Sequence, residues 1–372
     1  MIHLTLDDTA QTPKLFSPLS IRGVDFPHRV WASPMCQYSA DNGAASMWHV
    51  VHLGSFATGG VGLVMAESTA VAPEGRITVG CTGIWNQSHV KAWKPVVDFV
   101  HSMDTPIGIQ LSHAGRKGST MRPWDTHPIA LDSDGGWETV GPSAIAYSDF
   151  PMPRELTIDE ISQIVGEFAK SAKFSVEAGF DLVEIHGAHG YLVHQFLSPL
   201  SNQRTDEYGG SFKNRTRLLR EIVSAIRAVI PTEMPLFLRI SATDWAGGGW
   251  DLAESVRLAQ ELRLLGVDLI DVSSGGLVHD ANIKPFPGYQ VELAREIREQ
   301  AGIHVTTVGL ITEPEHAEEI LRNNNADAVM LGRALLRNPR WALNAAESLG
   351  YECRWPQQLQ RARTINPRKS PQ

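Results

Sequence analysis

Eight short apolar runs recur along the chain: RVWAS (29–33), VGLVMAES (61–68), PIGIQLSH (106–113), DLVEIHG (181–187), PLFLRISA (235–242), VDLIDVSS (267–274), HVTTVGL (304–310) and DAVMLGR (327–333). Each is near-continuously hydrophobic where a half-exposed strand would alternate, and that pattern marks strands covered on both faces, as in a parallel sheet. Amphipathic stretches at 157–179, 214–230, 252–266 and 313–325 lie between them. Several open on Thr, Asp or Asn and close on Gly or Asn, which are helix start and stop signals. Eight alternating strand and helix units over about 300 residues predict an α/β fold of the TIM (β/α)8 barrel type. No GxGxxG follows the first strand, which weakens the doubly wound alternative.

One interval breaks the rhythm. After the third strand come about 43 residues (114–156) rich in Pro, Gly, Trp and Asp. A connection of that length predicts an inserted lid or binding subdomain. Beyond the last unit, about 350–372 reads as a C-terminal tail whose end, RKSPQ, is expected to be mobile.

Polar residues close several of the strands, where stability alone would favour Val, Ile or Leu. They are Cys36, Glu67, Ser68, Gln110, His113, His186, Arg239, Ser273 and Ser274. In a barrel these ends converge on one mouth, where such folds keep their chemistry. Gly309, Gly332 and Arg333 follow the last two strands and offer open backbone and a guanidinium where barrels commonly hold a phosphate. The stretch EIHGAHGYLVHQF (184–196) is the densest. Gly187 and Gly190 disfavour a helix there, so it reads as a strand end opening into a loop. His186 and His189 can both donate to one oxygen anion, and Tyr191 carries a phenolic proton. A metal site is the rival use of histidine, with WHVVH (48–52) as a second pair, but neither pair comes with a matching set of carboxylate or Cys ligands.

Composition narrows the class. The 372-residue chain has 42% hydrophobic and 20% charged residues and a formal net charge of −8, unlike a surface built to coat nucleic acid. Three scattered cysteines, Cys36, Cys81 and Cys353, suggest neither a disulfide framework nor structural zinc. The acidic N-terminal MIHLTLDDTAQTP lacks a signal-peptide pattern and no apolar run reaches membrane-spanning length, so a cytoplasmic protein is expected.

The stretch HGAHGYLVHQFLSPLSNQRTDEYGGSFKNRTR (186–217) resembles the signature of the Old Yellow Enzyme flavoproteins, the NAD(P)H-dependent ene-reductases. The spaced match N-x-R-T-D-E-Y-G-G-S-x-x-N-R is long and specific, and the similarity runs from LFSPL at 15 to WAL at 341. PMCQY (34–38), WHVVHLG, HAGRK and GYQV (288–291) are similar to the thermophilic-like subclass that includes the xenobiotic reductases. This resemblance implies a single FMN-binding domain over 1–372, with tightly bound, non-covalent FMN and NADPH or NADH as hydride donor. It places Ser33, Pro34, Met35 and Cys36 along one flavin edge, Ala66 and Gln110 at the pyrimidine end, and Arg239 beside N1. Gly309, Gly332 and Arg333 would hold the phosphate. Tyr38, His186, His189 and Tyr191 would form the substrate wall, with Lys117 near the cofactor entrance.

The implied reaction is reduction of electron-poor C=C bonds in enones, enals, maleimides or nitroalkenes. His186 and His189 bind the activating oxygen, Tyr191 protonates carbon, and Cys36 tunes the flavin without covalent attack. In the subclass a C-terminal arginine reaches the neighbouring subunit's site. Here QLQRAR (358–363) offers Arg361, with Leu359 where an aromatic residue is expected and Trp355 nearby. A homodimer or higher even homo-oligomer is expected, with a small activated alkene as the other partner and neither nucleic acid nor membrane. The rival classes are a metal-dependent barrel hydrolase and a non-catalytic flavin-binding barrel.

Overall fold

The computed structural model describes residues 12–363, so the tail end RKSPQ and most of the N-terminal segment lie outside the described residues. The eight apolar runs become eight parallel strands: β1 (Val30–Ala32), β2 (Leu63–Ala70), β3 (Ile107–Ser112), β4 (Leu182–Gly187), β5 (Leu236–Ser241), β6 (Leu269–Ser273), β7 (His304–Thr307) and β8 (Ala328–Leu331). They close in chain order into a barrel, with β8 pairing back onto β1. This is the TIM barrel that the pattern predicts.

Helices cover the outside, among them α1 (Met47–Thr58), α2 (Gln87–His101) and α3 (Ile158–Ala178). The start of α3 is written in its sequence. Thr157 Oγ1 accepts from the Glu160 N–H at 3.2 Å, Glu160 Oε2 accepts from the Thr157 N–H at 2.8 Å, and Gly179 ends the helix in the left-handed region. The expected helix over 214–230 forms as two pieces, Phe212–Arg215 and Arg217–Arg227.

Strand alternation sorts side chains into two cores. Residues such as Val64, Ile109, Val183, Leu238 and Ile270 face the helices in one large apolar cluster. Trp31, Leu63, Met65, Leu182, Phe237, Leu269, Ala328 and Met330 fill the lower barrel interior in a second cluster. A hairpin, Leu19–Ile21 with Val24–Phe26, plugs that end, and the Phe26 ring lies 4.6 Å from that of Trp31. The interior is tight at β3: a Cβ on Gly108 would stand 2.5 Å from Met65 Sδ and 2.6 Å from Leu182 Cδ1.

The 114–156 insertion is compact, with two 3-10 turns and a short parallel pair joining Val140–Gly141 to Arg154–Glu155. It reaches the barrel mouth, where Arg122 Nε donates to the Tyr38 carbonyl at 3.1 Å and the Trp124 ring meets that of Tyr38 edge-on at 6.0 Å.

Candidate active site

A cleft of about 360 Å³ opens at the C-terminal ends of the strands. Ser33, Pro34, Met35, His189 and Arg239 line one part of it, and Gly309, Gly332 and Arg333 line another. Seven of the ten residues expected at the cofactor are therefore on one surface, although they come from four different strand ends. Arg239 is buried and donates from Nη1 to Ser33 Oγ at 3.0 Å. Gly309 has φ +128°, and a Cβ there would lie 2.8 Å from the Tyr289 ring, so glycine keeps this edge of the cleft open.

The histidine loop is built by three connections at once. His189 sits at φ +59° and Gly190 at +75°, a reversal held from below by Ser241 Oγ, which accepts from the His189 N–H at 2.9 Å and donates to the Gly275 carbonyl at 2.8 Å. Gly190 and Gly276 stand back to back, since a Cβ on Gly190 would lie 2.2 Å from the Gly276 oxygen. Lys117, from the loop after β3, donates to the His189 and Gly276 carbonyls, both at 2.9 Å, and so clamps the two loops together. This explains why glycines and histidines crowd this segment: the backbone must turn sharply while the rings stay fixed.

The rings of His186 and His189 lie 5.2 Å apart and nearly perpendicular, and the Tyr191 ring is 5.0 Å from that of His186. Burial, reinforced by the positive Arg239, pushes both imidazoles well below the usual histidine range, so both are neutral. His189 Nε2 lies 2.6 Å from Ser273 Oγ, whereas the His186 ring has no hydrogen-bond partner among the described residues and its Nδ1 is buried. Burial, with a smaller contribution from Cys36, raises the Tyr191 phenol well above 10, which keeps its proton in place.

Cys36 follows β1, and the Cys81 thiol beside it together with burial raises its pKa well above the ordinary value. It is a protonated thiol, not a poised nucleophile. The Lys117 ammonium is shifted down to about 8 by burial and by Arg116, and it lies 5.3 Å from the Tyr191 ring.

Other expected residues go elsewhere. Ala66 packs its side chain into the helix-facing cluster, leaving only backbone for the mouth. Glu67 falls at a bulge between Ala66 and Ser68 and turns to α1, where it pairs with His49 at 3.0 Å and accepts from the Gln37 N–H at 3.0 Å. His49 is thus a structural partner, and His52 packs edge-on to Phe56. Buried His113 accepts from the Gly115 N–H at 3.1 Å. Arg361 is exposed on the 3-10 segment Gln357–Ala362 and does not line this chain's cleft, while Trp355 is buried as packing.

The most specific motif contributes structure instead of chemistry. Asn202 donates to the Phe196 and Tyr208 carbonyls at 2.8 Å, Arg204 pairs with Asp206, and the Tyr208 hydroxyl donates to Glu221 at 2.9 Å. Together they fold the shelf behind the histidine loop. Gln290 entered the sequence reading only as part of GYQV, without a role; it accepts from Ser274 Oγ at 2.7 Å and donates to the Val308 carbonyl at 2.7 Å. The sequence reading missed an inward polar layer of Glu184, Asp271 and Thr306, although inward strand parity was available to find it.

Known proteins resemble this chain along nearly its whole length. The model of the NADH:flavin oxidoreductase / NADH oxidase family matches residues 14–352. An NADH:flavin oxidoreductase of Gibberella zeae is 44% identical over 371 residues, covering 94% of this chain and 89% of that protein. The NADPH dehydrogenase of Bacillus subtilis (strain 168) is 45% identical over 351 residues, covering 94% and 98%. Among solved structures, morphinone reductase superposes with a TM-score of 0.76 at 27% identity, covering 95% of this chain and 99% of its own. A match across nearly all of the described barrel, with the cleft where the chemistry converges, makes this chain a member of the NADH:flavin oxidoreductase family, the FMN-dependent enzymes of Old Yellow Enzyme type.

Proposed function

We propose that this flavin oxidoreductase reduces electron-poor C=C bonds with NAD(P)H, binding the activating oxygen at His186 and His189 and protonating carbon from Tyr191. The observation that carries this is the neutral histidine pair beside a phenol that burial keeps protonated. FMN fits the residues present: buried Arg239 lies at one part of the cleft, and open backbone with Arg333 lies at another. When bound, FMN supplies two-electron chemistry, accepting hydride from the nicotinamide and delivering it to the alkene.

Arg239 offers a fixed positive charge to the electron-rich ring edge, Gln110 an amide to the pyrimidine end, and Gly309, Gly332 and Arg333 hold the phosphate. Each neutral imidazole donates one N–H to the carbonyl or nitro oxygen. For His189 that donor is Nδ1–H when the Ser273 hydroxyl donates to Nε2, one of the two directions that their 2.6 Å contact allows. Donors fixed before the reaction stabilise the charge that develops on that oxygen. Tyr191 then gives its hydroxyl proton to the adjacent carbon. Cys36, held as a thiol, tunes the ring and contacts substrate.

Tyr38, with Trp124 of the 114–156 segment against it, forms the rim that sizes the pocket, and that segment serves as a cap on one FMN domain. Exposed Arg361 reaches the site of a second copy in an even-numbered oligomer, and the cytoplasm is the working compartment.

Anaerobic titration tests this assignment. NADPH should bleach the visible flavin band of the purified yellow protein at about one equivalent per flavin, and cyclohexenone should restore it. A colourless, chelator-sensitive hydrolase would overturn the family assignment. A yellow protein that NADPH fails to bleach would be a flavin-binding barrel without this activity.

A further inference from the structure

Beneath the cleft floor lies an acid layer that the chemistry above does not use. Glu184 on β4 and Asp271 on β6 are both fully buried in the barrel interior. Gln110 on β3, the register partner of Glu184, donates from Nε2 to Glu184 Oε1 at 2.8 Å. Asp271 on β6 faces Arg239 Nε on β5 at 3.3 Å and accepts from Thr306 Oγ1 on β7 at 2.8 Å. Two buried carboxyls therefore share one guanidinium, and a second charge in such a place is costly without its own partner. Glu184 Oε2 is buried and has no partner among the described residues. The charged groups facing Glu184 are Asp271 and Arg239; Gln110 is neutral, and so is His186 two residues along its own strand.

We propose that Glu184 is a positioning residue that fixes the Gln110 amide beneath the flavin and that, where it stands ionised in the oxidised protein, it takes up a proton when the flavin becomes anionic. This rests on the assignment of Gln110 and Arg239 to the flavin ring. Because Glu184 Oε1 accepts from the amide nitrogen, the Gln110 carbonyl oxygen and second N–H are left for the ring edge. A proton placed on unpartnered Oε2 leaves Oε1 free to accept, so one geometry serves both states of the carboxyl. Hydride transfer to N5 adds two electrons and one proton to the flavin, which gains one negative charge. A solvent proton on Glu184 offsets it, so ring, Arg239, Asp271 and Glu184 together keep the same net charge.

Burial first, and the Asp271 charge second, raise Glu184 to about 8. Below that pH the carboxyl is already protonated and takes up nothing. Above it the oxidised protein holds a carboxylate, reduction raises its pKa further, and a second proton accompanies the two electrons.

The test is the flavin midpoint potential measured from pH 7 to 9.5 on the FMN-loaded protein. The wild type should steepen up to twofold above about pH 8, since two protons then travel with two electrons in place of one. Glu184→Gln keeps an oxygen for Gln110 but cannot ionise; it should bind FMN as the wild type does and give one unbroken slope. A single slope in the wild type overturns the proposal by itself, whether or not the variant folds, and so do parallel curves for the two proteins. Arg239→Lys separates the underlying assignment. If that change moves the potential while the wild-type slope stays unbroken, only the role of Glu184 fails. If it leaves both potential and FMN affinity untouched, the ring assignment and the role of Glu184 fall together.

Discussion

The same strands carry two interiors. Near the hairpin plug, Leu63, Met65, Leu182, Phe237 and Leu269 point inward and pack as hydrocarbon against Trp31 and Phe26. One inward step towards the mouth, roughly 7 Å along a strand, Gln110, Glu184, Arg239 and Asp271 take their place. The lower layer is stabilised by volume and burial, so apolar residues of similar size are interchangeable there. In the upper layer each buried polar group needs a partner of a particular kind, as in the pairs Gln110–Glu184 and Arg239–Asp271. A change in the lower layer should therefore be felt in stability, and a change at the mouth in chemistry.

The sharpest separation comes from Tyr191→Phe, which removes one hydroxyl from the mouth and leaves both cores untouched. Flavin reduction by NADPH should proceed nearly as before, while reoxidation by cyclohexenone slows by roughly 10² to 10⁴, the range for a positioned proton donor. Stopped-flow measurement of each half-reaction decides it. Equal slowing of both would make Tyr191 a residue that merely positions ligands.

The converse change is Leu63→Ala in the lower layer, fully buried and packed in the interior cluster. It should cost about 2 to 5 kcal/mol of stability, read by urea unfolding, while turnover per bound flavin in the folded protein stays at the wild-type level. A turnover loss comparable to that of Tyr191→Phe would show that the two layers are not independent.

That independence also explains what the sequence revealed. The eight strands were legible because a doubly covered strand must be apolar throughout, and α3 was legible from Thr157, Glu160 and Gly179. Residues at strand ends, such as Arg239 and His186, stood out because polarity there has no stabilising excuse. Glu67 misled for a local reason: a bulge breaks strand parity, and no run of residue types announces it. Glu184 and Asp271 sat in plain view inside apolar runs, yet their partners come from neighbouring strands about 35 to 75 residues away in sequence, so their pairing appears only once the barrel closes. The motif at 202–215 named the family through residues that shape a shelf and touch nothing reactive.

Arg333→Ala should have a smaller effect, confined to the cofactor. Arg333 is exposed and lines the cleft beside Gly332, so its loss removes one charge-assisted phosphate contact without leaving a buried charge unpaired. FMN affinity should fall about tenfold or somewhat more, measured by flavin fluorescence on release, with thermal stability of the flavin-free protein unchanged. Full flavin retention with an unaltered dissociation constant would move the phosphate elsewhere along the cleft.

The smallest effect is a predicted flatness with pH. An exposed histidine of ordinary pKa 6.5 goes from about 3% to about 76% protonated between pH 8 and pH 6. His186 and His189 do not, because burial and Arg239 both disfavour their charged forms and move titration well below that window. The sign matters: a lowered pKa keeps each ring neutral, with one N–H to donate and one nitrogen left to accept, until the solution is far more acidic. Tyr191, raised well above 10, also keeps its proton throughout. The rate of reoxidation by cyclohexenone should therefore change by less than about twofold between pH 8 and pH 6. Lys117 and Glu184, which titrate at about 8, are already half or more protonated across this window and can add no more than about twofold. A severalfold rise that persists in Glu184→Gln and continues below pH 6 would mean that an imidazolium holds the substrate oxygen.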